Sequence, residues 1–222
     1  MHAIKTTALF DLSHTIADRY LASFDTPWEA LPGLSDFIVS YGKTLSEDEY
    51  DCPQENVWIA KSATVAPSAY IGAPCIICAN AEIRHCAYIR GSAIVGSGAV
   101  VGNSCELKNC ILFDSVQVPH YNYVGDSILG YKAHMGAGSI TSNVKSDKTN
   151  VSIRTADGRI ETGMRKLGAL VGDLVEIGCN CVLNPGTVIG RTSSVYPLTA
   201  VRGFIPEGHI VKSNAEIVLR KN

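Results

Sequence analysis

Between residues 90 and 148 lie Arg90, Glu106, Lys108, His120, Tyr123, Asn143, Lys145 and Lys148. Arginine and lysines brought onto neighbouring segments suit an anionic ligand, because guanidinium and ammonium groups make charge-assisted hydrogen bonds to phosphate. A histidine titrates near neutral pH, so His120 could take a proton as a general base. The same residue types also fit ordinary solvated side chains and a surface histidine. On composition and spacing alone that second description carries more weight.

These side chains sit on, or beside, a six-residue rhythm that decides how they are positioned. Aliphatic residues fall at Ile59, Val65, Ile71, Ile77, Ile83, Ile89, Val95, Val101 and Leu107. A small residue follows most of them four positions later, as at Ala63, Ala69, Cys75, Ala81, Ala87, Ala93, Ala99 and Cys105. The rhythm returns at Val171, Ile177, Leu183, Ile189, Val195 and Val201. A hexapeptide period is neither helical nor a plain strand alternation; it marks a β-helix solenoid. Three hexads make one triangular coil, each face a short parallel strand and each corner a tight turn. Gly72, Gly96 and Gly102 follow inward aliphatics and are expected at corners.

The rhythm slips over 113–118 and 124–129, is back in step at Met135, and disappears between about 143 and 167. Within that gap Val151–Thr162 reads as a hairpin turning at Asp157-Gly158. A projecting loop at a break in phase is where a solenoid places a binding site. Residues 1–53 lie outside the repeat, with short helices expected at Ser13–Asp18 and Leu34–Ser40. Trp28 and nearby aromatics are expected to pack this segment on the open end of the solenoid, which needs a cap. The solenoid is expected over 54–205 and a C-terminal tail over 206–222.

The net charge is −2, so nothing draws the chain generically to nucleic acid or an anionic membrane. No apolar run approaches the roughly 20 residues of a membrane span, and no secretory leader is recognisable, so a cytoplasmic protein is the default. Cys75, Cys105 and Cys181 take the small inward position, where a free thiol is a small hydrophobe. Cys75 and Cys78 form a CxxC with His85 and Cys86 nearby. That spacing can mean zinc, but on a coil Cys75 points inward while Cys78 opens the next hexad, so no metal site is expected.

Val118-Pro-His-Tyr-Asn-Tyr-Val-Gly-Asp-Ser-Ile-Leu-Gly130, followed by Met135-Gly-Ala-Gly-Ser-Ile-Thr-Ser-Asn143, resembles the acetyltransferase domain of the GlmU family. Those are bifunctional glucosamine-1-phosphate acetyltransferases and N-acetylglucosamine-1-phosphate uridylyltransferases. The resemblance runs from about Val57 to Val201, with His-x-x-Tyr-x-Gly-Asp and Gly-Ala-Gly-x-Ile-Thr-x-Asn as its specific cores. The hairpin and Thr162-Gly-Met-Arg-Lys-Leu-Gly-Ala169 are more similar to the archaeal-type sugar-1-phosphate nucleotidylyltransferase/acetyltransferases.

This resemblance implies an all-β, left-handed parallel β-helix, a departure from the right-handed crossover rule. It also implies a homotrimer with active sites between subunits, acetyl-CoA as cosubstrate, and no metal for acetyl transfer. His120 falls on the family's general base and Asn143 on an asparagine at the reacting centre. Arg90, Lys108 and Tyr123 fall on residues that grip the sugar phosphate, and Lys148 lies close to a further phosphate-binding lysine. Ala137 and Cys179 fall on positions that touch acetyl-CoA, and Lys212 or Arg202 would hold its phosphates. His134 stands where the family has asparagine; it is either a sugar or acyl contact or a corner residue. Pro197 replaces a small residue near the CoA groove. Residues 1–53 are too few for a nucleotide-binding α/β domain, so no uridylyltransferase activity is expected of them.

Two functions of different class follow. One is N-acetylation of an amino-sugar phosphate, glucosamine-1-phosphate before galactosamine-1-phosphate. The other is a catalytically weak trimeric module that binds a sugar nucleotide or tethers a partner. A zinc enzyme of the γ-carbonic anhydrase kind shares the prism, but His85, His120 and His134 lack that family's paired-histidine spacing.

Overall fold

A hexad cannot bury its own apolar side chain, so the repeats must wind and stack. The computed structural model, which describes residues 2–213 and 216–220, shows them wound into a parallel β-solenoid with three faces. On the first face Val57 pairs with Cys75 and Cys75 with Ala93, one coil of 18 residues each time. The second face carries Thr64, Glu82, Val100, Gln117, His134, Glu176 and Ser194 in register. The third carries Tyr70, Tyr88, Glu106, Tyr123, Ile140, Val182 and Ala200. The hexad aliphatics point inward as expected, and Ile77, Ile83, Ile89, Val95, Val101 and Leu107 are buried.

A residue with positive φ turns most corners, and it is mostly not glycine: along one edge φ is 54° at Ser104, 52° at Tyr121 and 54° at Asn180. Gly72, Gly96 and Gly102 do not carry the positive φ, but no side chain fits at any of them, as expected. A Cβ on Gly102 would lie 1.5 Å from the Pro119 carbonyl oxygen. These glycines let the next coil approach.

Variation in coil length concentrates at one edge, where the third face turns into the first. Leu107 and Cys110 lie opposite Ile89 and Ala93, so this coil drops one residue there. The same short spacing recurs between Val124 and Ser127. The first slip is thus earlier than the rhythm suggested. Strands Glu106–Leu112 and Tyr123–Leu129 consequently run through this edge without a break. The insertion falls at the same edge: Ile128 pairs with Leu170, 42 residues on. Its hairpin is Ser152–Thr155 against Gly158–Glu161, as expected.

The N-terminal segment is placed differently from the end cap that was expected. Helix Leu34–Gly42 and the 3-10 turn Pro27–Gly33 lie along the first face. They help bury its outward column of Ile76, Ile94, Ile111, Ile128, Leu170 and Val188. Farther up, Phe10 packs 5.2 Å from Phe113 and His14 stacks 3.6 Å from Tyr131. The helix expected at Ser13–Asp18 is instead a 3-10 turn, Leu12–His14, followed by helix Asp18–Ala22. A buried isoleucine contributes about 1.5–3 kcal/mol, so covering a whole face stabilises more than covering one end.

The ends are closed by antiparallel strands, Tyr50–Gln54 on Val57–Ala60 and Glu216–Leu219 on His209–Ser213. These blunt the open edges that would otherwise recruit other chains. The first begins before, and the second lies after, the 54–205 limits expected for the solenoid. Of the expected tail, Asn214, Ala215, Lys221 and Asn222 are outside the described residues. Among the described residues no helix is long and apolar enough to cross a membrane.

Cys75, Cys78, Cys105, Cys110 and Cys181 are buried, whereas Cys52, Cys86 and Cys179 are exposed. Burial pushes the Cys78 and Cys110 thiols up to about 12 and also raises Cys75, Cys105 and Cys181. Only the thiolate is nucleophilic. A thiol reagent at pH 8 should therefore modify Cys52, Cys86 and Cys179 quickly and the other five only on unfolding. Mass mapping that found Cys75 or Cys110 modified in the native protein would contradict this core.

Candidate active site

The edge where coil length varies is also where the polar side chains converge. Asp126 lies on it with φ 48° and is 3% exposed. Its Oδ1 accepts from Lys108 Nζ at 2.8 Å and Asn109 Nδ2 at 2.9 Å, and its Oδ2 from Asn143 Nδ2 at 2.5 Å. Asn143 Nδ2 also donates to the Tyr123 hydroxyl at 3.2 Å. One coil earlier, Arg90 donates to Glu106 Oε1 at 2.8 Å. A buried carboxylate needs such donors to be tolerated. Asp126 therefore gathers Lys108, Asn109 and Asn143 into one fixed cluster.

Tyr123 is half-buried, and burial raises its phenol above the usual range, with Asp126 and Glu106 adding to the effect. It stays a neutral hydrogen-bonding group at any physiological pH. Gly125 makes room for it, since a Cβ there would lie 2.3 Å from the Tyr123 hydroxyl.

His120 stands on the other edge of the same face. Its imidazole is exposed and makes no hydrogen bond or ion pair among the described residues. Its backbone is held firmly: the amide donates to Asn122 Oδ1 at 3.1 Å and the carbonyl accepts from Gly138 at 3.0 Å. Asn122 is buried in the small inward column and donates to the carbonyls of Gly136 and Ser139 at 2.9 and 3.0 Å. Ala137 and Cys179 stack above His120 at equivalent corner positions, each accepting from the next coil's turn amide. With about 4.8 Å between coils, His120 and Cys179 mark a groove wall roughly 10 Å long.

The expected residues thus fall into separate groups within one chain. Arg90, Lys108, Tyr123 and Asn143 share one edge. His120, Ala137 and Cys179 share the other. His134 is on the second face, its Nδ1 2.9 Å from Glu176 Oε2; it is a strand residue and not a corner residue. Lys148 is exposed in the inserted loop. Lys212 pairs with Glu216 Oε1 at 2.7 Å. Arg202 reaches Asn184 Oδ1 at 3.3 Å on the first edge. Asp126 and Asn122 were not singled out from sequence, although Asp126 closes the His-x-x-Tyr-x-Gly-Asp core. Among the described residues no group of three or more His, Cys, Asp or Glu is placed to hold a metal ion.

Fold and edge chemistry together define a hexapeptide-repeat β-solenoid with a polar cluster at one corner. The chain resembles GlmU-type bifunctional proteins over much of that solenoid. Residues 74–165 match the family model described as the GMPPB C-terminal domain. A bifunctional sugar-1-phosphate nucleotidylyltransferase/acetyltransferase from Sulfurisphaera tokodaii is 34% identical over 109 residues, 49% of this chain and 27% of that protein. The bifunctional protein GlmU of Methanococcus maripaludis is 34% identical over 119 residues, 54% of this chain and 29% of that protein. The matches thus span less than a third of those relatives. Among solved structures, the acetyltransferase domain of PglB from Neisseria gonorrhoeae is 18% identical with a TM-score of 0.30, covering 72% of this chain and 55% of that one.

Proposed function

We propose that the solenoid transfers an acetyl group from acetyl-CoA to the amine of an amino-sugar phosphate, with glucosamine-1-phosphate the first substrate to test and galactosamine-1-phosphate the second. The observation that carries this reading is the cluster on Asp126, which holds Lys108 and Asn143 beside Tyr123. A fixed set of donors around one point suits a polar substrate and a developing oxyanion. His120 accepts the proton of the sugar amine as its nitrogen attacks the thioester carbonyl. The carbon–sulfur bond then breaks, and the proton passes to the departing CoA thiolate. Asn143 donates to the carbonyl oxygen or orients the amine. Arg90 and Lys108 keep unused donors for the substrate, since a guanidinium has five and an ammonium three. Ala137 and Cys179 line the CoA groove, with Lys212 near its phosphates.

Among the described residues no hydrogen bond or ion pair joins His120 to the Asp126 cluster, because they occupy opposite edges of one face. The reading therefore includes a homotrimer in which the edge of one copy faces the groove of the next.

The test is thiol release from acetyl-CoA by the full chain, with and without each hexosamine phosphate. Release that requires the sugar supports transfer. A chain that binds acetyl-CoA but releases no thiol with either sugar has another acceptor. A chain that does neither is a binding or tethering module.

A further inference from the structure

Arg90 and Lys108 are both matched by carboxylates, Glu106 and Asp126. The unmatched positive charge lies farther along the same edge, under the inserted hairpin. There a cavity of about 380 Å³ is lined by Lys145, Arg154, Arg159 and Arg202, with Asn184 and a single carboxylate, Asp147. Asp147 lies 3.4 Å from Lys145, which leaves the three arginines without an acid partner among the described residues. Arg154 and Arg159 stand directly opposite each other in the hairpin ladder. Like charges so placed destabilise a two-stranded ribbon. Glu161 is on the same face of the hairpin but pairs with neither among the described residues.

Ile153, on the opposite face of the hairpin, is buried and anchors it. Paired guanidinium groups suit phosphate oxygens, which they bind bidentately. We propose that this cavity is a subsite for two neighbouring phosphates of a nucleotide, with Arg154 and Arg159 as its clamp. Ser142 also lines it, next in the chain to Asn143, so the cavity opens beside the cluster on Asp126. The subsite deepens the acetyl-transfer reading and rests on it only for which reactant brings the phosphates. A nucleotide-linked amino sugar brings a diphosphate, and CoA brings the phosphates of its adenosine half.

The experiment is calorimetric titration of the full chain with UDP and, separately, with adenosine 3′,5′-bisphosphate at fixed ionic strength. Arg154→Ala and Arg159→Ala are compared with Arg84→Ala, which removes an equal charge on the second face. Each clamp variant should weaken binding roughly 10–100-fold, while Arg84→Ala leaves it unchanged. Loss confined to UDP assigns the diphosphate of a nucleotide sugar, and loss confined to the bisphosphate assigns CoA. The unliganded clamp variants should melt no lower than the parent, because a like-charge pair has been removed. Equal binding by parent and clamp variants, no binding of either probe, or a lower melting temperature with binding retained would each overturn the proposal. Anion binding without acetyl transfer would leave the subsite standing and remove only the catalytic reading.

Discussion

Replacing His120 by alanine should lower kcat for sugar-dependent thiol release by roughly 10²–10⁴, the usual contribution of a positioned general base. KM for acetyl-CoA should change little. The melting temperature should not move, because the imidazole is exposed and bonded to nothing among the described residues, while the corner is held through backbone and Asn122. These features separate a chemical role from a structural one. If release survives with full kcat, the base lies elsewhere even though the reaction class stands. If the variant melts early, His120 is supporting the corner and the assignment is wrong for another reason.

Asp126→Ala should be the most damaging single change at the other edge. It removes the acceptor of three side-chain donors and leaves the Lys108 ammonium, only 27% exposed, without its partner. Breaking one member of a buried ion pair costs about 3–5 kcal/mol. Partial exposure of Lys108 puts this case at the low end. Alanine at φ 48° adds about 1–2 kcal/mol of backbone strain. A loss of about 4 kcal/mol in denaturant unfolding is expected, together with loss of acetyl transfer. Asp126→Asn tolerates the turn and keeps the shape, so it should lose less stability than alanine yet still loosen Lys108 and Asn143. Equal stability losses in the two variants would mean that the lost charge accounts for the whole effect and backbone strain for none of it.

The structure also bears on how the edge came to hold the chemistry. Hexads leave little freedom on the faces, since in the middle coils each inward side chain is packed and most strands are paired on both sides. Shortening a corner by one residue straightens Glu106–Leu112 and Tyr123–Leu129 through the edge. That carries Lys108 and Asp126 into contact across adjacent coils. Lengthening the same corner produces the hairpin. Changes in coil length are thus the means by which a uniform prism acquires a local site.

The period of six by itself determined the solenoid, because only one winding buries an aliphatic residue at every sixth position. It also determined the inward place of Cys75, Cys105 and Cys181, and Asp157-Gly158 marked the hairpin turn. The sequence carries a further signal: Ile76, Ile94, Ile111, Ile128, Leu170 and Val188 put a second aliphatic before the inward one in every third hexad. That pattern marks a face buried on both sides. Which segment covers it was decided only in the tertiary structure, because the apolar residues of 1–42 fit an end cap equally well in sequence. The grouping of Lys108, Asn109 and Asn143 around Asp126 was likewise a matter of coil stacking. Residues 17 or 18 apart become neighbours only once the length of each corner is known, and one residue more or less at a corner shifts the register of everything above it.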